Sequence, residues 1–227
     1  MNKLFLILLL TVSSIFSQTQ YRLNINNVNL PLDNKGILAA VNIPDPNPII
    51  GGAGGKFGGH LFLFSGGFLL SGYANDTLWA NGVASASLIN DYLPGTVNNE
   101  PSDPKNIIYV VKETDSDFGQ SWQDWINAVS LGADFYDGNN DGLYNPTDLN
   151  GNSIWDSSED KPALIGDEMT WCVYNDKVIA GQRRFTTVTP KGIEIQQTVT
   201  AYTSAQAPLG NTIFIRYRLT NTGTVVN

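Results

Sequence analysis

The chain has 227 residues, a formal net charge of −8, one histidine and one cysteine. The acidic balance argues against nucleic acid as a partner, because its phosphates would be repelled. A single cysteine, Cys172, excludes an internal disulfide framework, so core burial or bound ions must stabilise the fold. This length fits one large β domain or two small ones.

Residues 1–17 have the features of a secretory signal peptide. Lys3 gives a positive start, Leu4–Leu10 form an apolar run, and small residues follow up to Ser17, after which we expect cleavage. The apolar run is too short to span a bilayer, and no later segment predicts a transmembrane helix. We therefore expect the mature chain, residues 18–227, to be secreted or located at the cell surface.

The first half of the mature chain is predicted to consist of strands and turns. A loop rich in proline and glycine is expected between Ile43 and Gly55. Turn signals lie at Asn75-Asp76 and Asn81-Gly82. Strands are predicted at Arg22–Asn26, at Gly36–Val41, across an apolar hairpin or bulge within His60–Tyr73, and at Asn106–Lys112.

One amphipathic helix is predicted, because apolar residues recur at i, i+3, i+4 and i+7. Its apolar face consists of Trp122, Trp125, Ile126 and Val129. Ser121 or Asp117 is expected to cap its start, and Gly132 to end it.

After Pro162 the pattern predicts strands again. Met169–Tyr174 and Lys177–Thr187 resemble a hairpin across Asn175-Asp176, and two alternating strands follow. The first places Ile193, Ile195, Val199 and Ala201 on one face, and the second does the same with Ile213, Ile215, Tyr217 and Leu219. A further strand begins at Val225–Asn227, so we expect the chain to be part of a longer protein.

The most specific pattern is acidic. Between Glu113 and Asp160 the chain carries eleven carboxylates and no lysine or arginine. Calcium binds six to eight oxygens, and a twelve-residue loop supplies them from positions 1, 3, 5, 7, 9 and 12, with a sharp turn at position 6. The residues at these positions of a first loop, which has Gly142 at its turn, are Asp137, Asn139, Asp141, Leu143 through its carbonyl, Asn145 and Asp148.

A second loop begins where the first one ends. Its corresponding residues are Asp148, Asn150, Asn152, Ile154 through its carbonyl, Asp156 and Glu159. Ser153 stands at the turn position, where a left-handed conformation costs roughly 1 kcal/mol. Asp148 belongs to both loops and Pro146 lies between them, so no helix separates them. The sequence therefore predicts Ca²⁺ bound in a tandem loop insert over residues 134–162, rather than a paired helix-loop-helix sensor.

Asp137-Gly-Asn-Asn-Asp-Gly-Leu-Tyr-Asn-Pro resembles dockerin-type and thrombospondin-type-3-like calcium loops, which are EF-hand-like. The wider order of motifs runs from Leu63-Phe-Ser-Gly-Gly-Phe through Asp91-Tyr-Leu-Pro-Gly and the acidic loops to Gly166-Asp-Glu-Met-Thr-Trp and Phe214-Ile-Arg-Tyr-Arg-Leu. This order is similar to the N-terminal region of large exported bacterial proteins that carry a type IX secretion C-terminal sorting domain. The resemblance implies a secreted or surface protein whose sorting domain is absent from this chain.

Four other features could in principle indicate catalysis or ligand binding. The glycine-rich stretch Gly51–His60 departs from a phosphate-binding loop, with isoleucine at position 50 and phenylalanine at position 57. His60 begins a predicted strand, and Cys172 lies on an apolar one, so neither is expected to be catalytic. No pair of carboxylates has an acid–base signature. The chain is therefore not expected to be an enzyme.

The sequence predicts a mainly β fold, an antiparallel β-sandwich with one short helix and an acidic calcium-loop insert. The expected function is that of a non-catalytic, calcium-stabilised extracellular module of a larger secreted bacterial protein, with an adhesive role. Calcium and a cell-surface glycan or protein are the expected partners. Two alternatives stay open, an accessory carbohydrate-binding module and the N-terminal part of a secreted hydrolase whose catalytic domain is not in this chain.

Overall fold

The computed structural model describes residues 18–45, 53–84, 89–204 and 207–223. The signal peptide predicted at 1–17 and the strand predicted at 225–227 lie outside these ranges. Within them, every strand pair is antiparallel, the sheets form a sandwich-like arrangement, and one α-helix is present. The prediction of a mainly β, sandwich-like fold with one short helix is confirmed.

The strands of the N-terminal part are β1 (Gln20–Leu23), β2 (Val28–Asp33), β3 (Ile37–Leu38), β4 (Gly55–Phe57), β5 (His60–Leu63), β6 (Gly66–Gly67), β7 (Leu70–Ala74), β8 (Thr77–Asn81), β9 (Val83–Ala84) and β10 (Ile89–Asn90). The first six form a sheet with the order β5-β4-β2-β3-β6, in which β1 also pairs with β2. Two small antiparallel pairs follow, β7 with β8 and β9 with β10. The predicted turn at Asn75-Asp76 is confirmed, because it joins β7 to β8 with φ of +49° and +60°.

The later part forms a five-stranded sheet in which three strands are eight or nine residues long. The remaining elements are β11 (Leu93–Pro94), β12 (Tyr109–Lys112), α1 (Gln120–Ser130), β13 (Phe135–Tyr136), β14 (Lys161–Pro162), β15 (Glu168–Asn175), β16 (Ile193–Ala201) and β17 (Ile213–Asn221). The order is β11-β15-β16-β17, and β12 also pairs with β15, whereas β13 and β14 pair only with each other. Short 3₁₀ turns lie at Ala180–Gln182 and Leu209–Asn211.

Strand β15 is buried on both faces, and all eight of its side chains are buried. Successive side chains of a strand point to opposite sides. Cys172 and Tyr174 accordingly pack in a core with β2, β3 and β16. Met169, Trp171 and Val173 pack in a second core with β12 and α1. The five-stranded sheet is thus covered by the N-terminal sheet on one side and by α1 on the other.

The apolar face of α1 differs in part from the predicted one. Trp122, Trp125 and Ala128 are buried, whereas Ile126 is 43% exposed. The two tryptophans follow the predicted i, i+3 spacing, but the helix is rotated so that alanine, rather than isoleucine, faces the sheet. Trp125 makes edge-on ring contacts with Tyr109 and Trp171, and Ala128 belongs to the same core.

The predicted capping of α1 is confirmed at one end only. Gly132 follows the helix with φ of +105°, a conformation that glycine adopts without strain. At the start, Gly119 is the N-cap, and no side chain forms a cap hydrogen bond. Asp117 does not cap the helix, because its Oδ2 accepts a hydrogen bond from the backbone N–H of Trp155 at 2.8 Å. A tertiary contact has therefore replaced the local one.

The hairpin predicted across Asn175-Asp176 is wrong, since 177–187 contain no strand and β15 pairs with β16 instead. The side chain of Asp176 explains the difference. It is completely buried, and its Oδ1 accepts hydrogen bonds from the N–H groups of Gly192 and Ile193, each at 2.9 Å. Its Oδ2 accepts one from the Asn81 side-chain amide at 3.0 Å. This carboxylate therefore joins the end of β15 to the start of β16 and to β8.

Replacing Asp176 by asparagine should lower the free energy of unfolding by roughly 2–3 kcal/mol. The amide NH₂ of asparagine would face N–H donors whose hydrogen bonds the carboxylate now accepts. Urea unfolding measures this as a lower midpoint. Asp76→Asn is the matched control, since Asp76 lies in an exposed left-handed turn that asparagine tolerates. Equal midpoints for the two variants would contradict the role given to Asp176.

Candidate cation-binding loops

The acidic segment lies between two short strands that bring its ends together. Tyr136 pairs with Lys161, and Phe135 with Pro162, so residues 137–160 form a closed excursion from the fold. Just before it, Asp134 accepts hydrogen bonds from Arg218 at 2.6 and 2.8 Å and from Arg216 at 3.1 Å. Partial burial would raise the pKa of Asp134, but these two guanidinium groups outweigh it and lower that pKa.

Helix α1 supports the middle of this segment. The hydroxyl of Tyr144 donates to the carbonyl of Trp122 at 3.1 Å, and Nε2 of Gln123 donates to the carbonyl of Pro146 at 3.1 Å. Tyr144 is among the half-buried residues that pack on the core beneath α1. The connection between the two loops is therefore fixed to the helix.

In the first loop, side-chain oxygens turn inward onto the backbone. Asp137 accepts hydrogen bonds from the N–H groups of Asp141 at 3.1 Å and Gly142 at 2.8 Å. Asn139 Oδ1 accepts from the N–H of Asp141 at 2.9 Å, and Asp141 Oδ1 accepts from the N–H of Leu143 at 2.7 Å. The side chains at positions 1, 3 and 5 thus surround the same short stretch of chain.

The second loop repeats this arrangement position by position. Asp148 accepts from the N–H of Ser153 at 2.7 Å, as Asp137 does from that of the corresponding Gly142. Asn150 Oδ1 accepts from the N–H of Asn152 at 3.0 Å, and Asn152 Oδ1 accepts from that of Ile154 at 2.7 Å. Side-chain oxygens at positions 1, 3 and 5 therefore accept equivalent amides in the two loops.

The backbone conformations repeat as well. Positions 4 and 6 have positive φ in both loops, +60° and +77° at Asn140 and Gly142, and +75° and +59° at Gly151 and Ser153. The left-handed turn predicted for Ser153 is present. A serine adopts this conformation at a cost, so side-chain hydrogen bonds must offset the strain.

Two consecutive buried carboxylates close the loops. Glu159, which is 1% exposed, accepts from the N–H groups at positions 2 and 9 of the second loop, Leu149 at 2.7 Å and Asp156 at 3.0 Å. Asp160, which is 2% exposed, accepts from the same two positions of the first loop, Gly138 at 3.0 Å and Asn145 at 2.8 Å. Asp160 thus has the role in the first loop that Glu159 has in the second.

Asp160 is a residue that the spacing rule missed. Twelve-residue spacing assigns Asp148 to both loops, whereas the side-chain hydrogen bonds of Asp148 are to Gly151, Asn152 and Ser153, all in the second loop. The sequence contains one signal for Asp160. It is a carboxylate next to Glu159, and neither of the two overlapping loops assigns it a ligand position. The second loop is therefore nested inside the first.

The predicted residues at position 9, Asn145 and Asp156, also lie in the loops, where they accept side-chain hydrogen bonds. Asn145 Oδ1 accepts from the Thr147 hydroxyl at 2.9 Å. Asp156 Oδ2 accepts from Nδ2 of Asn150 at 2.8 Å. Leu143 and Ile154, predicted to contribute carbonyl oxygens, have side chains that are 69% and 63% exposed.

Hydrogen bonds keep two of the loop carboxylates ionised. The backbone N–H of Ser153 is the main cause that lowers the pKa of Asp148, with those of Gly151 and Asn152 adding to it. The hydroxyl of Ser158 is the main cause that lowers the pKa of Asp156. Both groups can therefore act as anionic ligands well below neutral pH.

The structure does not draw the acidic side chains into one tight cluster. Over residues 18–45, 53–84, 89–204 and 207–223, no group of three or more histidine, cysteine, aspartate or glutamate side chains is close enough to hold a metal ion. The predicted ligand sets also contain asparagine side chains and backbone carbonyl oxygens, which are not among these four residue types. The carboxylates of the loops accept hydrogen bonds from backbone amides and, at Asp141 and Asp156, from side chains as well.

His60 and Cys172, neither of which is expected to be catalytic, lie in different environments. His60 is exposed at the start of β5. Cys172 is buried in β15 with a free thiol, and burial raises its pKa far above the usual range for cysteine. In the part of the chain that the structure covers, no helix is long and apolar enough to cross a membrane.

The chain matches no protein-family model, and no curated protein or solved structure is significantly similar to it.

Because the loops are nested, Gly138 lies against the backbone of Glu159, and we expect a larger residue there to destabilise the fold. A Cβ at this position would lie 2.4 Å from the carbonyl oxygen of Glu159, so Gly138→Ala forces the two loops apart and should cost roughly 1–3 kcal/mol of stability. Gly181→Ala is the control, because a Cβ there meets nothing within 4 Å. Thermal unfolding of the two variants measures the difference. A Gly138→Ala variant as stable as Gly181→Ala would contradict the nested packing.

Proposed function

We propose that this chain is a non-catalytic extracellular module of a larger secreted or cell-surface protein, and that Ca²⁺ bound in its two acidic loops stabilises it. The single observation that supports this proposal best is the repetition of one loop structure twice. Side-chain acceptors, left-handed positions and the amides bonded to a closing carboxylate recur at equivalent places in 137–145 and 148–156. Such a repeat is expected of two equivalent oxygen-ligand sites.

The proposed first site comprises Asp137, Asn139, Asp141, the carbonyl of Leu143 and Asn145. Its last carboxylate was predicted to be Asp148, but the hydrogen bonds of Asp160 favour Asp160 instead. The proposed second site comprises Asp148, Asn150, Asn152, the carbonyl of Ile154, Asp156 and Glu159. Aspartate and asparagine oxygens and backbone carbonyls are the ligands that Ca²⁺ prefers in proteins.

Electrostatics support a divalent cation in this segment. Seven carboxylates lie between Asp134 and Asp160, and the segment contains no basic residue. Glu159 and Asp160 are buried side by side without an ion pair to a described residue. Burying a carboxylate is costly unless opposite charge or hydrogen bonds compensate it. Bound Ca²⁺ would supply that opposite charge and offset the repulsion among the seven groups.

The extracellular assignment is supported by the sequence. The signal-peptide pattern at 1–17 is typical of an exported protein, and the single cysteine is compatible with an exported protein that has no internal disulfide. The motif order that resembles exported bacterial proteins with a type IX sorting domain favours the same placement. Extracellular calcium modules bind at around 10⁻⁴–10⁻³ M, an affinity that millimolar calcium outside the cell is sufficient to occupy.

Calorimetric titration of the purified chain with Ca²⁺ tests the proposal. We expect binding at roughly 10⁻⁴–10⁻³ M, with a calcium-dependent rise in the unfolding temperature that follows from binding to the folded state. Asp141→Ala removes a position-5 ligand and should abolish the first site. Asp103→Ala, outside the loops, is the control. Absence of binding heat in the wild-type chain, or an unchanged titration of Asp141→Ala, would exclude the proposed site.

A further inference from the structure

A cleft of about 370 Å³ lies beside the second acidic loop. It is formed by the end of β12, the turn at 113–117, the segment around β14 and Tyr202, which follows β16. Its volume falls within the range typical of small-ligand sites. None of the residues predicted as calcium ligands lines it, so it is distinct from both proposed calcium sites, although Trp155 of the second loop forms part of its wall.

The charges that line the cleft select among ligand classes. Its carboxylates are those of Glu113, Asp115, Asp117 and Asp167. Two lysines, 112 and 161, also line it, so negative charge prevails. Anionic ligands, including nucleic acid and sialylated or sulfated sugars, would be repelled. The polar lining is equally unsuited to an acyl chain, because burying those groups without hydrogen bonds is costly.

Two of these carboxylates are held in place by a hydrogen bond to one oxygen, while the other oxygen accepts none from a described residue. Asp115 Oδ2 accepts from the N–H of Lys112 at 2.9 Å, and Asp117 Oδ2 accepts from that of Trp155 at 2.8 Å. No described residue donates to the second oxygen, Oδ1, of either group. A fixed carboxylate with a vacant oxygen is a suitable acceptor for a ligand hydroxyl, because little side-chain entropy is lost on binding.

The aromatic residues have different roles in the cleft. Trp122 is buried and belongs to the core beneath α1. The ring of Trp155 is covered by the ammonium group of Lys161, 3.4 Å from the ring centroid. Tyr202 is only partly buried, with an edge-on contact to Phe214 at 6.1 Å, and it is the ring best placed to meet a ligand. An aromatic ring beside free hydroxyl acceptors is a combination that suits sugars.

We propose that this cleft binds an uncharged oligosaccharide, whose hydroxyl groups donate to Asp115 and Asp117 and whose apolar ring face packs against Tyr202. Hydroxyl groups both donate and accept, so the lysine ammonium groups and the carboxylates can be satisfied by the same ligand. Each sugar ring also carries a face of C–H groups that packs on an aromatic ring. The site is a recognition site without a reaction.

The cleft is also tied to the second loop. Trp155 follows Ile154, and besides its N–H bond to Asp117 its Nε1 donates to the carbonyl of Glu159 at 2.9 Å. Calcium bound in that loop would therefore order one wall of the cleft and increase its affinity for sugar. This second part of the inference rests on the proposed function, whereas sugar binding itself does not.

A printed array of neutral oligosaccharides and their sialylated and sulfated counterparts, probed with the full chain, tests the proposal. We expect binding to neutral glycans only. Asp115→Asn keeps the oxygen that accepts from the N–H of Lys112 but removes the charge, and Tyr202→Ala removes the ring. Each variant should bind the glycan that gives the strongest array signal roughly tenfold or more weakly than the wild type, as measured by titration. Tyr73→Ala, at a ring that is 76% exposed on β7, is the control and should bind as the wild type does.

The possible results separate the two parts of the inference. Binding to neutral glycans that both variants lose supports the site, and its weakening in EDTA supports the link to calcium. No neutral glycan bound, equal binding of sulfated glycans, or unaffected variants would overturn the site. Sugar binding that persists unchanged in EDTA would overturn the calcium link alone, and a wild-type chain that binds sugar but gives no calcium heat would overturn the proposed function and leave the cleft intact.

Discussion

The double-sided burial of β15 is the constraint on which the other layers depend. One face of this strand contributes to the core beneath the N-terminal sheet, and the other contributes to the core beneath α1. Because α1 packs on β15 and β12, its C-terminus is fixed, and the chain leaves it directly into the β13–β14 pair. The acidic segment therefore projects from a rigid base. Asp134, bound to two arginines of β17, attaches that base to the far edge of the sheet.

Within the acidic segment, two adjacent carboxylates determine the arrangement. Glu159 and Asp160 each accept hydrogen bonds from two backbone amides. Both amides bonded to Glu159 belong to the second loop, and both bonded to Asp160 belong to the first. The residue that closes the first loop, Asp160, follows the second loop in sequence, so the two closing carboxylates are adjacent. This order brings buried negative charges together, and a cation is the most direct compensation for them. The loops, their burial and the proposed ion are thus parts of one electrostatic account.

The alternation of apolar and polar residues predicted strands correctly where the strand lies within a regular sheet. The alternation in β16 placed Ile193, Ile195, Val199 and Ala201 on one face, and all four are buried in one core. The side chains of β17 alternate too, but Ile215 and Leu219 stay 38% and 43% exposed, because β17 lies at the edge of its sheet. Alternation predicts a face and leaves open how completely a neighbouring layer covers it.

The parts that the sequence did not predict depend on contacts between distant residues. Asp176 stands in what looked like a hairpin turn, but its carboxylate bonds amides at the start of β16 and an asparagine of β8. Asp117 was expected to cap α1 and bonds Trp155 instead. The spacing of ligand positions located both acidic loops and the strained turn at Ser153, but it did not identify Asp160, because the second loop is inserted before it.

A crystal structure of the chain grown in millimolar calcium tests the central claim most directly. The account predicts two anomalous difference peaks, one bordered by Asp137, Asp141 and Asp160 and the other by Asp148, Asn152 and Glu159. Electron density for water alone at both positions, with the hydrogen bonds of these side chains unchanged, would contradict it.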